Sequence, residues 1–251
     1  MRRRAPSPGT GSGPRSPSGA VADPAVAVVV PAGGLGTRLG ARLPKQFLRV
    51  GGRPLLEATL AHFLSPPLFR PATAVVVAVP EAHLARARRL VERSGLRPAP
   101  RLVAGGATRQ ESVWRALQEV DPAAGIVVVH DAVRPFITRG LVRAVVAAAI
   151  EDGAAICAVP ITETVKRVAG GHVEATLDRS GLWAVQTPQA FGHALLREAH
   201  EKAAREGFTG TDDAALVERL GHPVRVVPGT PDNVKITTPE DLRRARRRMG
   251  R

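Results

Sequence analysis

The sequence predicts an α/β fold: a mostly parallel sheet with helices on both faces, and a β-hairpin arm projecting from it. Three patterns lead there. Short runs at 26–30 (VAVVV), 74–79 (AVVVAV) and 126–131 (IVVVHD) are apolar almost throughout, as strands buried on both faces are. Segments with helical apolar spacing lie between them, and strands alternating with helices imply crossover units in one parallel sheet. The alternation breaks at 161–177, where TVKRV and HVEATL flank Ala169, Gly170 and Gly171, a hairpin pattern.

Residues 1–24 are rich in Pro, Gly, Ser and Arg, with little that could join a core, and read as a disordered tail. A single domain is expected over 25–242. Its first strand feeds straight into PAGGLGTRLGARLPK (31–45). PLLEATLAHFL (54–64) has helical spacing, AVVVAV is the second strand, and EAHLARARRLVERSG is a helix that Gly95 stops. A short strand at RLVA then gives way to a helix whose start is marked by Thr108 and Glu111, a capping-box spacing. IVVVHD, a helix near 138–152 and the strand AAICAVP (154–160) follow. The hairpin would leave its edges exposed unless it packs on a partner subunit, which predicts a homodimer. The chain returns through helices near 192–206 and 212–220 and strands at 224–227 and 233–236. A last helix starts at Thr238 with Pro239 in its first turn. Residues 243–251 read as a basic C-terminal tail.

The 251 residues carry a net charge of +14, and its location decides its meaning. Residues 1–24 hold +3 and residues 243–251 hold six arginines and no acid, leaving +5 for the body. Aromatic residues are 3% of the chain and tyrosine is absent, so a base-stacking platform is poorly supplied. These features argue against nucleic-acid binding as the main function and favour a body that handles phosphates. Cys157 is the only cysteine, which excludes an intramolecular disulfide and leaves structural zinc unsupported. No apolar run approaches a membrane span and no apolar signal region is present, so a cytoplasmic protein is expected.

In open parallel sheets, ligands sit beyond the carboxyl ends of the strands, so the residues after each strand are the candidate site. After the first strand, Gly33, Gly34 and Gly36 can turn sharply and let backbone N–H groups approach an anion, with Arg38 and Lys45 adding charge. The glycine spacing is not G-x-G-x-x-G and no G-K-[ST] follows, so a dehydrogenase and a P-loop kinase both lose ground. HDAVRP puts Asp131 just past a buried strand with Arg134 three residues later. Asp suits Mg²⁺, though it could equally cap a turn. His130 reads as a packed strand-end residue, and Trp183 and Phe191 as core. Lys235 lies within apolar NVKI, where an unpaired charge would be costly, so it faces an anion.

The loop G-x-G-T-R-L followed by P-K resembles that of nucleotidyltransferases. The ordered series PAGGLGTRL, PKQF, GGATRQESV, HDAVRPF, TETVKRV, DRSGLWAVQTPQAF, TDDA and DNVKITTPEDL is similar, over 26 to about 242, to the 2-C-methyl-D-erythritol 4-phosphate cytidylyltransferase family. The resemblance implies a Rossmann-like sheet of the nucleotide-diphospho-sugar transferase type, CTP and Mg²⁺ as requirements, and a homodimer interlocked through the arm at 161–177. It implies that Ala32, Gly33 and Gly34 line the nucleotide while Gly106 and Ser112 help select cytosine. Arg38 and Lys45 match cations that stabilise the transition state, and Arg179 and Lys235 those that position the acceptor phosphate. Arg134, Thr164 and Thr187 match acceptor contacts, some supplied across the dimer, and Asp131 an acid near acceptor and metal. Glu163 and Val133 depart mildly from the family's usual Asp and Ala. Another nucleotidyltransferase, such as a ribitol 5-phosphate cytidylyltransferase, shares the first loop. A basic nucleic-acid-binding protein without catalysis is the reading from another class.

Overall fold

Strand β1 (Val26–Pro31) is buried at every residue, as the middle of a sheet covered on both faces requires. This computed structural model describes residues 24–34, 43–69 and 74–250. A 3-10 turn, Lys45–Phe47, leads to two two-residue strands, β2 (Arg49–Val50) and β3 (Arg53–Pro54), paired antiparallel. Helix α1 (Leu55–Leu64), β4 (Ala74–Val79), α2 (Leu84–Ser94), β5 (Arg101–Ala104), α3 (Arg109–Leu117), β6 (Ile126–Val129), α4 (Arg139–Asp152) and β7 (Ala154–Pro160) then alternate as the apolar runs predicted. The arm is β8 (Val165–Ala169) and β9 (His172–Leu177), paired only with each other. After it come β10 (Trp183–Gly192), α5 (His193–Arg205), α6 (Asp213–Glu218), β11 (Arg225–Pro228) and α7 (Pro239–Met249).

The seven-stranded sheet has the order β11-β7-β10-β6-β1-β4-β5. All its pairings are parallel except those of β10, which runs antiparallel between β6 and β7. The period-2 alternation of β1 divides the core into two layers. Val28 and Val30 pack with Leu56, Leu60 and Phe63 of α1 and Val142 and Val145 of α4; Ala27 and Val29 pack with Val113 and Leu117 of α3 and Leu196 of α5.

Three local expectations are corrected. No strand was assigned to 183–192, yet β10 fills the middle of the sheet. Residues 233–236, expected as a strand, have no regular structure; Ile236 is fully buried in a third small cluster with Val50, Leu55, Val133 and Ala245. The basic run after Arg243 continues α7 to Met249 rather than trailing as a tail. Thr238 caps that helix with a full capping box, and its far end is seated on the β2–β3 turn, where a Cβ on Gly51 (φ +56°) would come within 2.8 Å of the Met249 Cβ.

Candidate active site

The site grows from the carboxyl ends of β1, β5 and β6, the parallel edge where the sequence placed it. Beyond β1 the Ala32 N–H donates to the Ala78 carbonyl at 2.7 Å, and the buried Gln46 side chain donates to the Ala32 carbonyl at 2.6 Å. That second bond clamps the Lys45–Phe47 turn onto the glycine segment. The lysine passes close over Gly34: a Cβ there would lie 2.5 Å from Lys45 Cε, so a side chain at 34 would push the end of the lysine off its present course. Ala32, Gly33, Gly34 and Lys45 therefore share one wall of a cleft. Arg38, expected beside them, lies outside the described residues.

The facing wall comes from the turn before α3. Thr108 caps the helix by accepting from the Glu111 N–H at 3.0 Å. Ser112 Oγ donates to the Thr108 carbonyl at 2.8 Å and accepts from the Gly106 N–H at 3.1 Å, so it holds the strand-end turn in shape. Gly106 and Ser112 both line the cleft.

Asp131 forms the floor. Its Oδ2 is 2.9 Å from Lys235 Nζ and 3.4 Å from Arg134 Nε, and its Oδ1 is 3.4 Å from Arg109 Nε. Burial opposes charge on this carboxyl, but Lys235, Arg109 and Arg134 outweigh it and hold its pKa well below the usual carboxylate range. The prediction that Lys235 faces an anion is met within the chain by Asp131. Arg134 is buried and also donates to the Asn233 carbonyl at 2.7 Å, so it is a structural cation rather than a surface one. Arg109 is fixed from behind by buried Asp213, at 2.7 Å, which in turn sits 3.3 Å from His200.

Thr187 reaches this floor because β10 is irregular between Gln186 and Gln189. Its hydroxyl accepts from the Asp131 N–H at 3.1 Å and lies 3.1 Å from His130 Nδ1, while His130 Nε2 is 3.2 Å from the Arg134 carbonyl. Donation from Nε2–H to that carbonyl and from the threonine hydroxyl to Nδ1 satisfies a neutral ring. Burial lowers the His130 pKa to about 4. The unfolded chain binds this proton near pH 6.5, so stability should fall as pH drops from about 6.5 to about 4, by up to about 3 kcal/mol from this group. Denaturant titrations at pH 7 and pH 4.5 check this: His130→Gln should show the smaller loss between them, and equal losses would refute it.

Thr164 and Arg179 are not brought to the cleft within one chain. Both are exposed at the base of the arm, where the Arg179 guanidinium donates to the Thr162 carbonyl. Trp183, expected in the core, is 41% exposed, whereas Phe191 is fully buried. Arg109, to which the sequence assigns no role, lines both the cleft and the adjoining hollow that holds Arg134 and Thr187. One signal was available: it is the first residue of a helix, where the dipole disfavours a cation unless an anion is near.

A glycine-rich strand-end loop, a lysine lying over it and a cluster of cations around one carboxylate, all on the carboxyl edge of an α/β sheet, define a nucleotidyltransferase. Comparison with known sequences narrows this. The 2-C-methyl-D-erythritol 4-phosphate cytidylyltransferase family profile matches residues 26–251, and the chain belongs to that family. It is 45% identical over 221 residues to the enzyme of that name from Syntrophus aciditrophicus, spanning 87% of this chain and 93% of the relative. Among solved structures, the same enzyme from Thermus thermophilus aligns with a TM-score of 0.73 and 41% identity, covering 90% of this chain and 98% of that one. The 4-diphosphocytidyl-2C-methyl-D-erythritol synthase of Anaerococcus prevotii aligns with a TM-score of 0.79 and 30% identity, covering 91% and 100%.

Proposed function

We propose that this chain transfers the cytidylyl group of CTP to 2-C-methyl-D-erythritol 4-phosphate in isoprenoid biosynthesis, working in the cytoplasm. The observation that carries the assignment of roles is the convergence of Lys45 from one wall, Arg109 from the facing wall and Lys235 at the floor on a single cleft. An acceptor phosphate oxygen attacks the α-phosphorus, a new P–O bond forms as the bond to the bridging oxygen breaks, and pyrophosphate leaves. Both reactants are anions, so the work is to position them and to stabilise spread negative charge. Lys45, with Arg38, serves the α-phosphate. Ala32, Gly33, Gly34, Gly106 and Ser112 hold the cytidine. Lys235, Arg134 and Thr187 serve the acceptor side. Cys157 offers no nucleophile, since burial pushes its thiol up to about 12.

No group of three or more His, Cys, Asp or Glu able to hold a metal occurs among the described residues. A single carboxylate fits Mg²⁺ nonetheless, because that ion is bound through one or two carboxylates plus substrate phosphates. Asp131 is the residue that would hold it, and the ion would offset charge on the triphosphate.

Thr164 and Arg179 reach a cleft only if the arm crosses to a partner. Val168, Val173, Trp183 and Val185, on the arm and the strand after it, are each at least 41% exposed, an apolar surface that a homodimer would cover. Replacing residues 163–177 by a short Gly-Ser link should give monomers in sedimentation; an unchanged dimer would refute the role of the arm. Pyrophosphate release with CTP should occur with methylerythritol phosphate and not with ribitol 5-phosphate. Turnover confined to ribitol 5-phosphate would overturn the assignment.

A further inference from the structure

Away from the cleft, a groove of about 910 Å³ opens between the β2–β3 turn, α2 and α7. Its rim carries Arg49, Arg53, Arg86, Arg89, Arg93 and Arg246, all exposed, against one carboxylate, Glu57. None of the six makes an ion pair within the described residues, whereas Arg115 of α3, Arg219 just after α6, and Arg243, Arg244, Arg247 and Arg248 of α7 are matched to Glu111, Glu206, Glu240 or Asp232 nearby. Three of the six are held in place by neutral partners: Arg49 Nε donates to the Gly52 carbonyl at 2.9 Å, Arg246 Nε donates to the Arg49 carbonyl at 3.4 Å, and Arg86 lies 5.7 Å above the Phe47 ring. The wall between them is apolar, formed by Phe47, Leu48, Pro54 and Leu90.

The repeat of Arg86, Arg89 and Arg93 on α2 places three guanidinium groups on one helix face. Guanidinium forks bind phosphate oxygens in pairs, and so many on one groove call for an anion of several charges. A bare polyphosphate would leave the apolar wall without a partner. A nucleic acid would need an aromatic face to stack on, but the one ring in the groove, Phe47, is buried beneath Arg86. The volume lies within the roughly 300–1,000 Å³ of small-molecule sites. We propose that this groove is a second binding site, for an amphiphilic organic diphosphate whose charged head meets the arginines and whose apolar body lies on Leu48, Pro54 and Leu90.

Isothermal titration of the full chain tests this, with geranyl diphosphate as probe and saturating CTP present to occupy the cleft. One molecule should bind per chain. Arg53→Ala/Arg89→Ala/Arg93→Ala should weaken binding at least tenfold with transferase turnover and circular dichroism unchanged, and Arg53→Glu alone serves if the triple variant does not fold. Inorganic pyrophosphate and geraniol should each bind at least tenfold more weakly than the whole probe. Displacement by CTP, equal affinity in the arginine variants, equal affinity for pyrophosphate, or displacement of the probe by single-stranded RNA would each overturn the proposal. Binding is read without turnover, so the result stands apart from the acceptor the cleft uses.

Discussion

Lys45→Ala is expected to lower kcat by about 10²–10³ while leaving the fold intact, the loss seen when one pre-aimed group at a developing charge is removed. The fold should survive because the backbone around position 45 is held by other bonds: Leu48 N–H to the Lys45 carbonyl at 3.1 Å and the Gln46 side chain to Ala32. The lysine crosses Gly34 into a cleft whose other described lining cations are Arg109 and Lys235, both held by Asp131. Steady-state pyrophosphate release gives the rate and thermal melting gives the fold. A kcat within threefold of the parent would sink the role given to Lys45.

Asp131→Asn should damage both folding and turnover. The carboxylate is 8% exposed and compensates Lys235, Arg109 and Arg134 together. Removing one member of a buried charge cluster leaves the others uncompensated, a loss of about 3–5 kcal/mol. Pyrophosphate should restore more of the melting temperature to this variant than it adds to the parent, because an added anion replaces the missing charge. Equal shifts in the two proteins would show that the cations are satisfied without Asp131. Turnover should fall by at least about 10², since the cations that faced the carboxylate lose their alignment.

The sheet and the strand-end loops were legible because β1, β4 and β6 are runs of β-branched residues that admit no other reading. β10 was not, for a physical reason. Gly181 and Pro188 punctuate that segment, and proline is normally excluded from central strands; here it sits where the ladder skips between Gln186 and Gln189. NVKI misled in the opposite sense. Its alternation serves to bury Ile236 against Val50 and Leu55, with a single main-chain bond to the Val133 carbonyl, and no ladder forms. The role of Arg109 depends on Asp213, 104 residues further along, a pairing no local pattern encodes. Gly34 and Asp131 were legible because they follow buried strands, Lys45 because a proline-lysine pair follows the glycine loop, and Ser112 through the resemblance to the family.

The position of β10 also bears on how the chain is made. β6 and β7 follow one another in sequence but are not neighbours in space, and the lane between them is filled only by residues 183–192. During synthesis from the N-terminus, the sheet stays divided down its middle until that strand has emerged, leaving strand edges unpaired on both sides. A fragment ending at residue 182 should therefore be rapidly degraded by protease while one ending at 250 resists; equal resistance would refute this order of assembly. The last strand to enter the centre is also the one that carries Thr187 to Asp131, so completing the sheet and completing the cleft are one event.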